Sequence, residues 1–175
     1  MSYGSIEAIK ERCKREGIEF WKAVQIEDCS ERAVSEESSW KEMTRMWQIM
    51  CENVDTYEPE RISRSGLVGK EGGLMEEYQK KGDTLCGDFM AKVMTVALKM
   101  GCNNACMKRI IAAPTAGACG VLPAVLVPFF KEYEVPEEKM VEAMYVAAGV
   151  GQVIANRAFL AGAGGGCQDE IGSGS

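Results

Sequence analysis

Apolar residues recur at alternating three- and four-residue spacing along most of this 175-residue chain, a pattern that predicts helices with one buried face. The clearest stripe runs from Trp40 to Val54 and follows Ser35, a residue type that caps helices. Two glutamates come directly after Ser35, where negative charge stabilises the first turn of a helix. The stripe is rich in tryptophan and methionine, and we interpret it as a packing face.

Two shorter helices are predicted before this stripe, and a loop is predicted after it. Ser5 is placed to cap the first helix, which Gly17 ends, and a second amphipathic stretch covers residues 18–28. Pro59 then breaks the helical pattern. Residues 62–73 are rich in serine and glycine, which is typical of a loop.

Three further helices are predicted in the second half of the chain. The first begins at Asp83, which serves as its N-cap, and ends at Gly101. The second covers residues 121–133 and is expected to kink at Pro128, because proline removes a hydrogen bond of the helix. The third begins at Pro136.

Strand signals are almost absent. Only residues 109–115 form a short run that favours extended backbone, because Pro114 disfavours helical dihedral angles in the residue before it. We therefore predict a mainly α fold. The loop rich in serine and glycine divides it into an N-terminal helical segment, residues 1–60, and a second part, residues 61–175.

Composition narrows the class of protein. With 46% hydrophobic and 26% charged residues, the chain is able to bury one core. The formal net charge of −6 offers no broad positive surface, so we expect no nucleic-acid partner. The charged N-terminus lacks the apolar segment of a secretory signal, and the longest apolar run is too short to cross a bilayer. We expect a cytoplasmic protein without a membrane partner.

The chain contains eight cysteines and no histidine. Histidine-dependent catalytic triads and zinc sites are therefore excluded. In a reducing compartment the cysteines are expected to be thiols or metal ligands and not disulfides. Cys102 and Cys106 form a C-x3-C pair, but Arg109 stands where a radical-enzyme cluster motif has its third cysteine. We interpret the pair as ordinary thiols near a helix end.

Two glycine-containing segments carry the remaining chemistry. The first, APTAGACGVLPAV at residues 113–125, brings a threonine, a cysteine and two glycines into one bend, and the second surrounds Cys167 with glycines. Glycine lets backbone amides approach a bound group closely, so either segment is able to bind a carboxylate, a phosphate or a sulfide. A helix-entry turn and a flexible tail are the alternatives, and neither motif is specific alone.

Four segments in this order, SGLVGKEGG, DTLCGDFMAKVMTVALKMGCNNACMKRI, RIIAAPTAGACGVLPAV and GGCQDEIGS, resemble the alpha subunit of the iron–sulfur-dependent L-serine dehydratases. The resemblance covers nearly all of the chain beyond about residue 60, and the chain looks like the front part of such a subunit. It implies a helical catalytic domain, here truncated, that deaminates L-serine to pyruvate and ammonia. It further implies a [4Fe-4S] cluster that acts as a Lewis acid, a beta subunit as partner and an oligomeric assembly.

The resemblance also implies a role for one cysteine. Cys167 corresponds to the first cluster ligand, and the remaining cysteine ligands are expected downstream of Ser175. The family commonly has a Ser-x-Ser-Gly-Ala stretch before this cysteine, whereas Phe159 and Ala161 occupy the two serine positions here. A glutamate often found three residues before the cysteine is Gly164. These departures put the choice of substrate in question.

We expect the bend to hold the substrate carboxylate through a hydroxyl, backbone amides and the start of the following helix. Its residues are Thr115, Gly117, Ala118, Cys119 and Gly120. The catalytic base is not identified; Lys70, Lys108 and Glu170 are weak candidates. Two alternatives stay open: a pyridoxal-phosphate lyase whose glycines cradle the phosphate, and a non-catalytic helical module that docks onto a beta subunit.

Overall fold

A computed structural model describes residues 3–158 of the chain, and these residues form helices and no strand. The helices are α1 (Ile6–Glu16), α2 (Phe20–Arg32), α3 (Glu36–Asp55), α4 (Glu71–Lys80), α5 (Asp88–Ala105), α6 (Val121–Glu132) and α7 (Glu137–Arg157). The predicted mainly α fold is confirmed.

The helices α1 and α3 begin at the serine caps that the sequence predicts, and α1 ends at the predicted glycine. The Ser5 side chain accepts a hydrogen bond from the amide of Ala8, and Gly17 ends α1 in the left-handed conformation with φ 66°. The Ser35 side chain accepts from the amide of Ser38 at the start of α3. The second helix is shifted from the predicted range of 18–28, since α2 covers Phe20–Arg32.

Two predictions about the middle of the chain are wrong. Residues 62–73 are not all loop, because α4 begins at Glu71 and includes Gly72 and Gly73. Asp83 is not an N-cap, because α5 begins at Asp88. The residue before it, Gly87, has a φ of 77°, which is incompatible with a right-handed helix and favours glycine. The fifth helix also continues past Gly101 to Ala105.

Close packing accounts for the glycine in α4. A Cβ atom added at Gly72 would lie 2.9 Å from both the Cα and the N atom of Lys99. Only glycine allows α4 to approach α5 this closely. The residue type at position 72 is therefore set by a tertiary contact, although glycine has a low helix propensity.

Two hydrophobic cores meet at α3 and α7. One contains side chains from α3, α5, α6 and α7, with Trp47 and Met100 almost fully buried. The other joins α1, α2 and α7 around Ile9 and Tyr145. Trp40 packs against this second core and stacks on Tyr145 at a ring-centroid distance of 6.0 Å, as expected of a packing face. The predicted division between residues 1–60 and 61–175 stays a prediction.

The last two described helices lie where the sequence predicts them. Val121–Glu132 matches the predicted helix at 121–133 and contains Pro128 in its interior, while Pro136 is the N-cap of α7. The kink expected at Pro128 stays a prediction. Among residues 3–158, no helix combines the length and the hydropathy needed to cross a membrane.

Candidate functional site

Two glycine-containing turns pack against the C-terminal half of α5. The first, residues 69–73, leads into α4 and includes its first three residues; it is named the 69–73 turn. The second, residues 115–120, is named the 115–120 turn. Gly72 of the first contacts Lys99, and a Cβ atom added at Gly120 of the second would lie 3.4 Å from the carbonyl oxygen of Ala97. Both turns are therefore positioned by the same helix.

The 115–120 turn is closed by hydrogen bonds of its own. The Thr115 hydroxyl oxygen accepts from the amide of Ala118 at 3.1 Å, and the amide of Cys119 donates to the carbonyl of Ala116 at 3.3 Å. The amide of Val121 donates to the carbonyl of Ala118 at 3.1 Å, which leads the chain into α6. The Thr115 hydroxyl uses only its oxygen in this bond, so its hydrogen stays able to donate to an anion.

The turn divides its residues between the interior and the surface. Cys119 is 1% exposed, and Thr115 and Ala118 are also buried. Gly117 lies at the surface, and Gly120 is half-buried against α5. Of the five residues predicted to hold substrate, the structure thus leaves Gly117 most accessible, and their assignment to substrate stays a prediction.

An apolar groove of about 450 Å³ adjoins the 115–120 turn. Pro114 and Val121, which flank the turn, line one part of it. Its other lining residues include methionines of α3 and small residues of α7: Met43, Met46, Met50, Ala147, Ala148 and Gly151. None of the lining residues between positions 3 and 158 is charged, so this part of the groove offers an apolar surface.

Asparagines at the end of α5 hold the surrounding segments in place. Asn104 donates to the carbonyl of Ala116 at 3.1 Å, which ties the 115–120 turn to α5. The buried Asn103 donates to the backbone oxygen and the side-chain oxygen of Asn53 at 2.7 and 2.8 Å. Asn53 in turn donates to the carbonyl of Arg109. Sequence reasoning missed this network, although the two adjacent asparagines were an available signal, because asparagine side chains tend to hydrogen bond to nearby backbone groups.

The 69–73 turn is filled by side chains of the protein. The Glu71 carboxylate accepts from the amide of Gly69 at 2.8 Å and from the Cys102 thiol at 3.2 Å. The Tyr57 hydroxyl donates to the carbonyl of Gly69 at 2.6 Å and accepts from the amide of Gly73 at 3.0 Å. These contacts join the start of α4 to α5 and to the segment that follows α3.

This arrangement lowers the pKa of Glu71 and raises the pKa of Cys102, each relative to the ordinary value of that group. Hydrogen bonds from backbone amides, Gly69 first, hold the pKa of Glu71 below its ordinary value of 4.5. Burial raises the pKa of the Cys102 thiol. Cys102 is therefore a protonated donor to a carboxylate, which is the opposite of what a metal-bound thiolate requires.

The other predicted groups occupy different places. Cys106 is buried near the end of α5 with its thiol 3.8 Å from the carbonyl oxygen of Arg61. Lys108 forms an ion pair with Glu58 at 2.9 Å, and Lys70 lies 3.7 Å from a Glu60 oxygen. Neither lysine lines the groove beside the 115–120 turn.

Residues 3–158 contain no group of three or more cysteine, aspartate or glutamate side chains placed to hold a metal ion. The part of the chain that the structure describes therefore does not by itself fit an iron–sulfur cluster. Cys167, Glu170 and the altered positions Phe159, Ala161 and Gly164 lie outside the described residues.

The helical fold and the sequences of the two glycine-containing turns point to the serine dehydratase alpha chains, and comparison with known families tests this assignment. The family model of the serine dehydratase alpha chain matches residues 15–175. The chain belongs to this family.

Curated relatives carry the same name. The chain is 32% identical over 164 residues to the L-serine dehydratase alpha chain of Peptoniphilus asaccharolyticus, a match that covers 93% of this chain and 56% of the relative. It is 31% identical over 134 residues to L-serine dehydratase TdcG of Escherichia coli, covering 73% and 30%. It is 30% identical over 155 residues to L-serine dehydratase of Streptomyces coelicolor, covering 82% and 32%.

The chain thus spans about half the length of the first of these relatives and about a third of the other two. No solved structure matches the chain.

Proposed function

We propose that this chain is part of an L-serine dehydratase alpha chain, a lyase that converts L-serine to pyruvate and ammonia. The family match over residues 15–175 is the observation that carries this proposal. Three relatives in different organisms are named for the same activity. The product, pyruvate, places the reaction in amino-acid degradation and makes carbon available for gluconeogenesis.

The 115–120 turn is proposed to bind the substrate carboxylate. The Thr115 hydroxyl hydrogen is able to donate, and the backbone of Gly117 is at the surface. The N-terminus of α6 follows directly and attracts negative charge. A carboxylate held there would orient the α-carbon of L-serine, whose proton must be removed in the reaction.

The cofactor is proposed to be a [4Fe-4S] cluster with Cys167 as one ligand. Several thiolates are needed to hold such a cluster, so the others would come from parts of the alpha chain outside this sequence. When bound, the cluster supplies a Lewis acid for the substrate hydroxyl. The described cysteines are not proposed as substitutes, because Cys102 and Cys106 contact Glu71 and the backbone of Arg61.

The partners and location follow from the family. The name alpha chain implies a beta chain, and we propose an oligomer of the two in the cytoplasm. The replacement of two serines by Phe159 and Ala161 removes two hydroxyl groups from the segment that precedes Cys167 in the sequence. We propose that this change alters the preference among small hydroxy amino acids.

The test is anaerobic reconstitution, with iron and sulfide, of the complete alpha chain that contains this sequence, together with its beta chain. We expect pyruvate release from L-serine that requires iron. Cys167→Ala should remove both bound iron and activity, whereas Cys86→Ala, at an exposed thiol, should keep both. Turnover without iron, or a Cys167→Ala protein with normal iron and activity, would overturn the proposal.

The assembly-module alternative predicts a different result for the 175-residue chain alone. A folded chain that binds no iron and releases no pyruvate, yet binds the beta chain, would favour it. The pyridoxal-phosphate alternative lacks support, because that fold needs repeated strands and residues 3–158 contain none.

A further inference from the structure

The outer surface of α5 and α6 carries two rows of exposed apolar side chains. On α5 the row is Met90, Met94 and Leu98, and on α6 it is Val121, Val125 and Phe129. Each of these six side chains is between 39% and 49% exposed. Both rows have a spacing of four residues, so each extends over about 12 Å of helix. We name this surface the α5/α6 face.

The two rows lie side by side on antiparallel helices. Phe89, at the start of α5, packs near Tyr133, just past the end of α6, at a ring-centroid distance of 6.2 Å. At the other end, Gly120 lies against Met100. Two neighbouring rows of this kind flank a shallow channel, which is the surface that a third helix packs into.

The face carries no charge along α5. After Asp88 at the start of the helix, its exposed positions are Met90, Met94, Leu98, Gly101 and Ala105. The charged side chains of α5 face elsewhere and are paired: Lys92 with Glu132, and Lys99 with Glu76 at 2.8 Å. Contiguous exposed apolar surface of this kind marks a place where another polypeptide packs.

The length of the relatives indicates which polypeptide could pack on the α5/α6 face. The chain matches 56% of the Peptoniphilus asaccharolyticus alpha chain, which leaves 44% (100 − 56) of that polypeptide without a counterpart here. The matching 56% includes the helices that form the α5/α6 face, since the match covers 93% of this chain. In such an alpha chain the remaining part is covalently continuous with these helices, which gives it a high effective concentration beside the face.

We propose that the α5/α6 face binds an apolar helix from the complementary part of a serine dehydratase alpha chain, meaning the part of the relatives that this chain does not match. The helix would lie between the two rows and present apolar residues at three- and four-residue spacing. This proposal rests on membership of the family and does not depend on the proposed activity.

The test uses the 175-residue chain co-expressed with the unmatched part of the Peptoniphilus asaccharolyticus alpha chain. We expect a one-to-one complex in which amide hydrogen exchange slows in α5 and α6. Val125→Glu should weaken the complex at least tenfold, because it places a charge at the centre of an apolar interface. Leu74→Glu is the matched control, since Leu74 is an exposed apolar residue on α4, and it should change the affinity less than twofold.

Circular dichroism of both variants establishes that they fold, so that weaker binding reports the interface. Several results would overturn the proposal: no complex, a complex that Val125→Glu leaves unchanged, or self-association of the chain that buries the face instead. A complex that protects α5 and α6 would stand even where reconstituted protein releases no pyruvate, so failure of the proposed function is distinguishable from failure of this proposal.

Discussion

The two glycine turns that flank α5 have similar compositions and different environments. In the 69–73 turn, Glu71 and Cys102 hydrogen bond to each other, and Gly72 contacts the backbone of Lys99. In the 115–120 turn, the Thr115 hydroxyl and backbone groups bond within the turn, Asn104 of α5 donates to the Ala116 carbonyl, and Gly117 lies at the surface. The first turn is occupied by the protein's own side chains, whereas the second presents backbone at the surface beside an apolar groove.

The difference shows that a glycine-rich segment is a candidate binding site only when the fold leaves its backbone accessible. Glycine in the 69–73 turn permits a close helix contact. Glycine in the 115–120 turn has no side chain to cover the exposed backbone. The turn leads into α6, whose N-terminal dipole favours a bound anion. The predictions below separate a structural role for the first turn from a binding role for the second.

Removal of the buried amide of Asn103, in the last turn of the helix that both turns pack against, should have the largest effect on stability. Asn103→Ala deletes two buried hydrogen bonds to Asn53 and leaves the Asn53 oxygens without them. We expect the free energy of unfolding to fall by about 3 kcal/mol, measured by urea denaturation. Asn104→Ala, which removes a more exposed bond to Ala116, should cost about 1 kcal/mol or less. Equal losses would contradict this account.

Gly72→Ala tests whether the 69–73 turn needs its close helix contact. The added Cβ atom would meet the Lys99 backbone at 2.9 Å, so we expect a loss of about 2 kcal/mol in the free energy of unfolding. Gly101→Ala is the matched control within α5, because nothing lies within 4 Å of its added Cβ atom. It should stabilise the protein by about 0.5 kcal/mol. A neutral Gly72→Ala variant would show that α4 shifts without cost.

Thr115→Val tests whether the hydroxyl closes the 115–120 turn. The valine has the same shape but cannot accept from the amide of Ala118, so the free energy of unfolding should fall by about 1 kcal/mol. Thr115→Ser keeps the acceptor and should retain most of that stability. The two variants are compared by thermal denaturation. Identical melting temperatures would show that the Thr115 hydroxyl does not stabilise the turn.

Acidification should reduce the contribution of Glu71 to the 69–73 turn. The pKa of Glu71 is lower in the folded protein than its ordinary value of 4.5, so its charged form adds stability above that pH. That stability is lost as the pH falls through the lowered value. The difference in melting temperature between the natural protein and Glu71→Gln should therefore be largest near pH 7 and shrink below pH 4.5. A difference independent of pH would contradict the assigned shift.

The sequence was sufficient for the helices whose ends are set by local interactions. Ser5, Gly17 and Ser35 act through neighbouring backbone groups, and α1 and α3 end as predicted. The start of α4 and the end of α5 depend on long-range contacts: Gly72 against Lys99, and Asn103 against Asn53. No local pattern reports such contacts, which is why α4 was not predicted as a helix and the end of α5 was misplaced.

The candidate site was predictable as a motif but not as a geometry. The bend at residues 115–120 was visible from its proline and glycines, whereas the burial of Cys119 and the support from Asn104 depend on how the turn meets α5. The same limit applies to Cys102, whose pairing with Glu71 joins residues 31 positions apart. Spacing along the chain carries no information about that contact.

The central claim is that the 115–120 turn binds the carboxylate of L-serine. The most direct measurement is kcat/KM for L-serine in the reconstituted alpha–beta enzyme carrying Thr115→Val or Thr115→Ser, with bound iron determined in each. We expect Thr115→Val to lower kcat/KM by about tenfold or more at unchanged iron content, and Thr115→Ser to stay within about threefold of the natural enzyme. A folded Thr115→Val enzyme with unchanged kcat/KM would contradict the claim.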